Sequence, residues 1–243
     1  MRCALAALML VVGVACDSGV PDSPASPTGS APDQAESAPA PSEDRAVAVP
    51  SAALPSASGA PSCPPRMALI TGFGDYCIDR HEAALEGEGP GLSAIAADGQ
   101  LPEAAISWFD ADLACRNAGF RLCTGDEWEL ACSGTEGRLY PYVGEYELER
   151  CNGAEINSDL TRQALAPSGS FERCVTPEGV FDLSGNIGEW VSTADTTGTL
   201  RQQRGGAYAN MGKYVRCTWD PPAFQPPGQV FRGQGFRCCV DAR

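Results

Sequence analysis

The sequence predicts a disulfide-stitched domain of mixed helix and strand with much irregular chain, set behind an export signal and a long unstructured linker. Three observations carry this. Ten cysteines remain after the two nearest the N-terminus are set aside. Only two segments of the body read as capped helices, among short strand candidates punctuated by Gly and Pro. Residues 17–62 contain no aromatic side chain.

Residues 1–15 carry one basic residue, Arg2, ahead of "ALAALMLVVGVA". These twelve residues fall short of the roughly 20 needed to span a bilayer, but they suit the core of a signal peptide. Cys16 follows "GVA" in a pattern that resembles the lipobox of bacterial lipoproteins, with Gly13 where Leu is usual. This predicts acylation of Cys16 and a membrane-anchored, exported protein of the cell envelope, facing the periplasm or the cell surface; a plain signal peptide is the alternative. Residues 16–62 then form the lipidated cysteine and a Pro-, Ala- and Ser-rich linker, which has too little apolar surface to offset the entropy of ordering. The globular domain is expected over residues 63–243.

Within the body, "SWFDADLACRNAG" starts at Ser107 as N-cap and stops at Gly119, with Trp108, Ala111 and Cys115 near one face. "TGDEWELAC" carries a capping box, Thr124 as N-cap and Glu127 three residues on, and turns Trp128 and residues 130–132 to the core. Strand candidates lie at "RMALI", "YCIDRHEA", "IGEWV", "RGGAY" and "GFRCCV". Trp108, Trp128 and Trp190 read as core residues.

The formal charge of -14 argues against nucleic-acid partners. In an exported chain, an even set of ten cysteines without a C-x-x-C reads as a disulfide framework rather than a zinc site. His81 is the only histidine, so no three-histidine metal site can be built, and a Ser-His-Asp triad could use only that residue.

"YCIDRHEA", "SWFDADLACRNAGFRLCTGDEWELACSG", "GRLYPY", "CN", "GVFDLSGNIGEWV", "RGGAY" and "GFRCC" resemble, in order and spacing, the sulfatase-modifying factor or formylglycine-generating enzyme family. The resemblance implies a single α+β domain of the C-type-lectin-like group. It also implies an oxidase that converts a cysteine of a sulfatase C-x-P-x-R motif to formylglycine with O₂ and copper(I) on two cysteines. By the same resemblance Cys115 pairs with Cys238, and Cys132 with Cys217. For the remaining six, Cys63–Cys77, Cys151–Cys174 and Cys123–Cys239 are inferred, with a strained vicinal Cys238–Cys239 bridge as the rival.

In that family the loop matching "DLSGNIGEWV" binds calcium, which implies Asp182, Gly185, Ile187 and Glu189 as ligands, the middle two through their carbonyls. Hard oxygen donors on a glycine-curled backbone suit Ca²⁺; a β-turn leading into a core strand is the alternative. A second family site implies Asn152 and Gly153, with its other ligands unmatched. Copper(I) selects thiolates, yet the first thiol position falls on Asn210, and the only cysteine of "AYANMGKYVRC" is Cys217, assigned to a bridge. Copper is therefore not expected, and neither is catalysis; an active oxidase with another thiol pair is the competing reading. The expected role is to bind a protein, peptide or glycan at the family's substrate groove, through Asn210, Lys213, Tyr214, Arg216 and Trp219. Arg204 reads as a structural ion-pair residue and His81 as structural.

Overall fold

The computed structural model describes residues 60–72, 74–154, 164–218 and 222–243. The signal segment, Cys16, nearly all of the 16–62 linker and Trp219 lie outside the described residues. Among the described residues no helix is long and apolar enough to cross a membrane.

The chain opens with the antiparallel hairpin β1 (Met67–Ile70) and β2 (Tyr76–Asp79), then a small ribbon of β3 (Ala84–Glu86) and β4 (Ser93–Ile95). Next come α1 (Trp108–Asn117), β5 (Arg121–Leu122) and α2 (Gly125–Ser133). The second half supplies β6 (Gly188–Ala194), β7 (Arg201–Arg204), β8 (Ala223–Gln225), β9 (Gln234–Phe236) and β10 (Cys238–Asp241). One four-stranded sheet has the order β1-β2-β10-β5 and the other β8-β7-β6-β9. The pairing of β6 with β9 is parallel. This is the expected α+β domain with little regular structure.

Both helices start where the side chains dictate. The Ser107 hydroxyl accepts from the Asp110 amide, and Thr124 and Glu127 complete a reciprocal capping box. Arg121 adds a bidentate clamp on Glu127 at 2.6 and 2.7 Å. Gly119, at φ 82°, turns the chain after α1 toward β5.

The strands divide two apolar clusters between their faces. Cys77, Trp190 and Cys238 pack with Ala111, Ala114 and Cys115 of α1. Their neighbours Ile78, Val191 and Cys239 pack with Trp128, Ala131 and Cys132 of α2. This is the period-two alternation of extended chain, and it decides the disulfides. Cys238 and Cys239 point to opposite faces, so each bridges away from the other, Cys115–Cys238 on the α1 side and Cys123–Cys239 on the α2 side. Cys132–Cys217, Cys151–Cys174 and Cys63–Cys77 complete the five pairs anticipated above. A framework this dense marks an exported protein.

Three strand expectations change. "RGGAY" is not a strand: β7 lies upstream and ends at Arg204, because Gly205 and Gly206 adopt φ 84° and 67°. "YCIDRHEA" breaks after Asp79, and "GFRCCV" breaks at Arg237, which stands between the two sheets. Trp128 and Trp190 are fully buried; Trp108 is half-buried against the α1 cluster, and so is Leu130 against the α2 cluster.

Candidate functional site

The "DLSGNIGEWV" loop is curled by three residues at positive φ, Asp182 (59°), Gly185 (84°) and Asn186 (58°). At Gly185 a Cβ would collide with the Asn152 carbonyl, so glycine is required there by contact as well as by conformation. The Asn152 carbonyl accepts from the Asn186 amide at 2.8 Å, and the Asn186 carboxamide oxygen accepts from Asn152 Nδ2 at 2.8 Å and the Ala166 amide at 3.0 Å. Glu82 binds the loop from beneath: it accepts from Asn186 Nδ2 (2.6 Å), Ser168 Oγ (2.9 Å) and the Ile187 amide (3.2 Å). Asp182 Oδ2 accepts from the Gly169 amide at 2.7 Å.

Glu189 has a different role. Its carboxylate receives Nε and Nη2 of Arg237 at 2.7 and 2.6 Å, and the Trp128 indole N–H at 2.7 Å. Arg237 also donates to the Asp79 and Phe181 carbonyls, and both charged side chains are 1% exposed. Of the four residues implied as calcium ligands, Glu189 faces a buried guanidinium and Asp182 accepts from a backbone amide, while Gly185 and Ile187 lie on the loop between them. Asn152 and Gly153 serve as packing and hydrogen-bonding partners of the loop. No group of three or more His, Cys, Asp or Glu suited to a metal occurs among the described residues.

Burial and the charges of Asp182 and Glu189 hold the Glu82 carboxyl well above its ordinary range. Burial likewise raises Asp182 to about 6, and raises Asp79 to about 6 despite the cation of Arg66 beside it. His81 stacks on Phe181 at 4.9 Å, and burial disfavours its protonation.

All ten cysteines of the described residues are bridged. The Asn210 side chain accepts from the Ala207 amide at 2.8 Å, closing a short turn. Soft thiolate ligands for copper(I) are therefore not provided by these residues, and no chemical step is assigned to that metal.

Asn210 lines a cleft of about 200 Å³ together with Gly188, Gln203, Phe231, Arg232 and Gln234. Of the other expected binding residues, Lys213, Tyr214 and Arg216 are not among those that line it. Lys213 and Tyr214 sit exposed on the 3-10 turn Gly212–Val215, and Arg216 donates toward the Tyr140 hydroxyl. The turn is pressed against Gly206, where a Cβ would strike the Tyr214 carbonyl. Arg204 forms the expected ion pair, with Glu129 at 2.8 Å. A second hollow of about 450 Å³ beside α2 is walled by Asp75, Asp126, Glu127 and Asp241.

Two sheets joined through a buried arginine, a helix on each side and a glycine-curled loop define a C-type-lectin-like domain of the formylglycine-generating type. Residues 75–242 match the sulfatase-modifying factor enzyme 1-like domain, and the chain belongs to that family. It is 31% identical over 169 residues to a Mus musculus protein named inactive C-alpha-formylglycine-generating enzyme 2, a match covering 63% of this chain and 53% of that one. Mus musculus formylglycine-generating enzyme matches at 28% over 182 residues, 63% of this chain and 48% of the enzyme. The chain thus spans about half the length of these curated relatives. PvdO from Pseudomonas aeruginosa shares the fold, with a TM-score of 0.53 and 17% identity over 71% of this chain and 82% of its own.

Sequence reasoning missed Glu82, Arg237, Gln203 and Gln234. A charge flanked by Phe236, Cys238 and Cys239, in an otherwise apolar run, was the available signal for Arg237. The glutamines carried none.

Two predictions follow from the buried charges. Glu189→Gln keeps the shape but leaves Arg237 without its ion-pair partner, and should cost about 3 to 5 kcal/mol in urea unfolding. The loss should be the same with excess CaCl₂ or with EDTA if Glu189 serves the ion pair alone; a calcium-dependent loss would give it a metal role. Asp182→Asn reports on proton linkage. Because the folded state holds this proton more tightly than the unfolded state, ionisation as pH rises from about 4 through 6 destabilises the fold. The Asn variant, which retains an oxygen for Gly169, should gain on the parent between pH 4 and pH 7, and an unchanged difference in urea midpoint would contradict this.

Proposed function

We propose that this protein is a non-catalytic member of the formylglycine-generating enzyme family. In this reading it is exported and held at a membrane by lipid on Cys16, and its domain binds a protein, peptide or glycan partner. The observation that carries the proposal is the state of the sulfur: the ten cysteines of the described residues are consumed in bridges, and an amide stands at the first thiol position. The relationship to a mouse protein named inactive supports it. The opposite orientations of Cys238 and Cys239 argue against a borrowed thiol pair, because reduction would leave their sulfurs on two sides of a strand. The bridged framework agrees with export, and the lipobox-like residues before Cys16 support the anchor.

Incubation of the oxidised and the reduced protein with a C-x-P-x-R peptide, copper and O₂ should leave the peptide mass unchanged. Conversion of its cysteine to formylglycine by either form would overturn the non-catalytic reading. Expressed in a bacterium with a lipoprotein pathway, the protein should fractionate with membranes and incorporate labelled palmitate. Cys16→Ser should abolish both, and an unlabelled parent protein would refute the anchor.

A further inference from the structure

The cleft beside Asn210 contains buried donors that find no acceptor among the described residues. On β6, Gly188 and Trp190 share the face turned toward α1. Gln203 pairs with Trp190 from β7 on one side, and Gln234 pairs with Gly188 from β9 on the other. All of these side chains emerge on one face, so the missing side chain of Gly188 leaves a hollow with a carboxamide on each flank. Gln203 Nε2 and Gln234 Nε2 are both buried and without an acceptor among the described residues.

The orientation of Gln234 is set by its surroundings. Its oxygen accepts from the Phe231 amide at 2.9 Å, which commits the nitrogen to the opposite direction, and the residue is 3% exposed. A buried amide N–H without an acceptor costs about 1 to 3 kcal/mol, and native structures rarely retain one without a purpose. Here two stand around one cavity. Arg204 also lines the cleft and its Nε is unpartnered, but its guanidinium is engaged by Glu129 through Nη2.

Charge selects the kind of acceptor. Among the described residues no carboxylate lines the cleft, on a protein of formal charge -14. Arg232 lines it, is exposed, and makes no ion pair among the described residues. Phe231, 46% exposed, adds an apolar wall. A volume of about 200 Å³ is below the usual range of small-molecule sites, roughly 300 to 1,000 Å³. It suits one side chain or chain end of a larger partner.

We propose that this cleft binds a carboxylate of a peptide partner, received by the Gln203 and Gln234 carboxamides and the Arg232 guanidinium, with Phe231 against the adjoining methylenes. The proposal rests on the binding reading above and names the chemistry of its ligand. Two donors and a cation match the two oxygens and the charge of a carboxylate.

The test is a titration of the ¹⁵N-labelled full chain, following the side-chain amide signals of Gln203 and Gln234. The probes are Ac-Gly-Glu-Gly-NH₂, Ac-Gly-Gly-Gly with a free C-terminus, and Ac-Gly-Gln-Gly-NH₂. Saturable shifts of both amides with a carboxylate probe, and none with the glutamine probe, are expected; whichever carboxylate probe binds more tightly identifies a side chain or a chain end as the source. Arg232→Ala, at an exposed site that leaves the fold intact, should weaken binding about tenfold. Gln234→Leu should abolish it, and the Arg232 variant carries the test if the leucine protein fails to fold. Equal responses to the glutamine and glutamate probes, or no saturable shift with any probe, would overturn the carboxylate assignment. The C-x-P-x-R assay reads the non-catalytic proposal separately, so either can fail alone.

Discussion

The structure depends on one buried ion pair. Arg237 lies between β9 and β10, the point where the chain passes from one four-stranded sheet to the other. Its guanidinium takes Glu189 of β6, the Asp79 carbonyl of β2 and the Phe181 carbonyl at the entrance to the curled loop. A single planar group with fixed donor directions therefore ties β2, 158 residues away, to the curled loop and β6, 56 and 48 residues away. Desolvating these charges costs several kcal/mol for each ion, and only a nearly complete set of acceptors makes the arrangement tolerable. That requirement positions the sheets relative to each other more sharply than apolar packing, which is non-directional.

The loop beside it follows the same logic. Its inward polar groups are satisfied by Glu82 and Asn186. The result is a rigid polar platform with more buried carboxylates than cations in its immediate surroundings, which explains why burial pushes protons onto Glu82 and Asp182. Rigidity at this point also fixes Gly188 directly after the loop, and Gly188 forms the floor of the cleft. The same segment that gives the family its recognisable motif thus supports the site proposed to bind a partner.

The sulfur framework changes the chemistry open to the fold. Bridges from α1 to β10, and from Cys123 just ahead of the α2 cap to β10, tie both helical segments to one sheet. With every cysteine of the described residues so engaged, the domain gains constraint in the unfolded state and loses the soft ligands that a copper oxidase needs. The residues that constrain the fold are thus the same ones on which the non-catalytic proposal rests. The proposed binding role requires neither thiolate nor metal, only a shaped cavity with oriented donors, as the glycine-floored cleft offers.

Much of this was legible in the sequence because it is local. Ser107 and Thr124 announce their helices within three residues, since a cap is a contact between near neighbours. The even cysteine count, the family motifs in order, and Asn210 at the thiol position could all be read along the chain. Tertiary structure decided what depends on contacts across long separations. It turned Glu189 toward Arg237, 48 residues away, and Glu82 toward Ile187, 105 residues away. It also ended β7 before the glycine pair and placed Gln203 and Gln234 on one face of the two strands that flank β6. A carboxylate reads the same on paper whether it will meet a metal or a guanidinium, because its partner is selected by the packing of distant strands rather than by its neighbours in the chain.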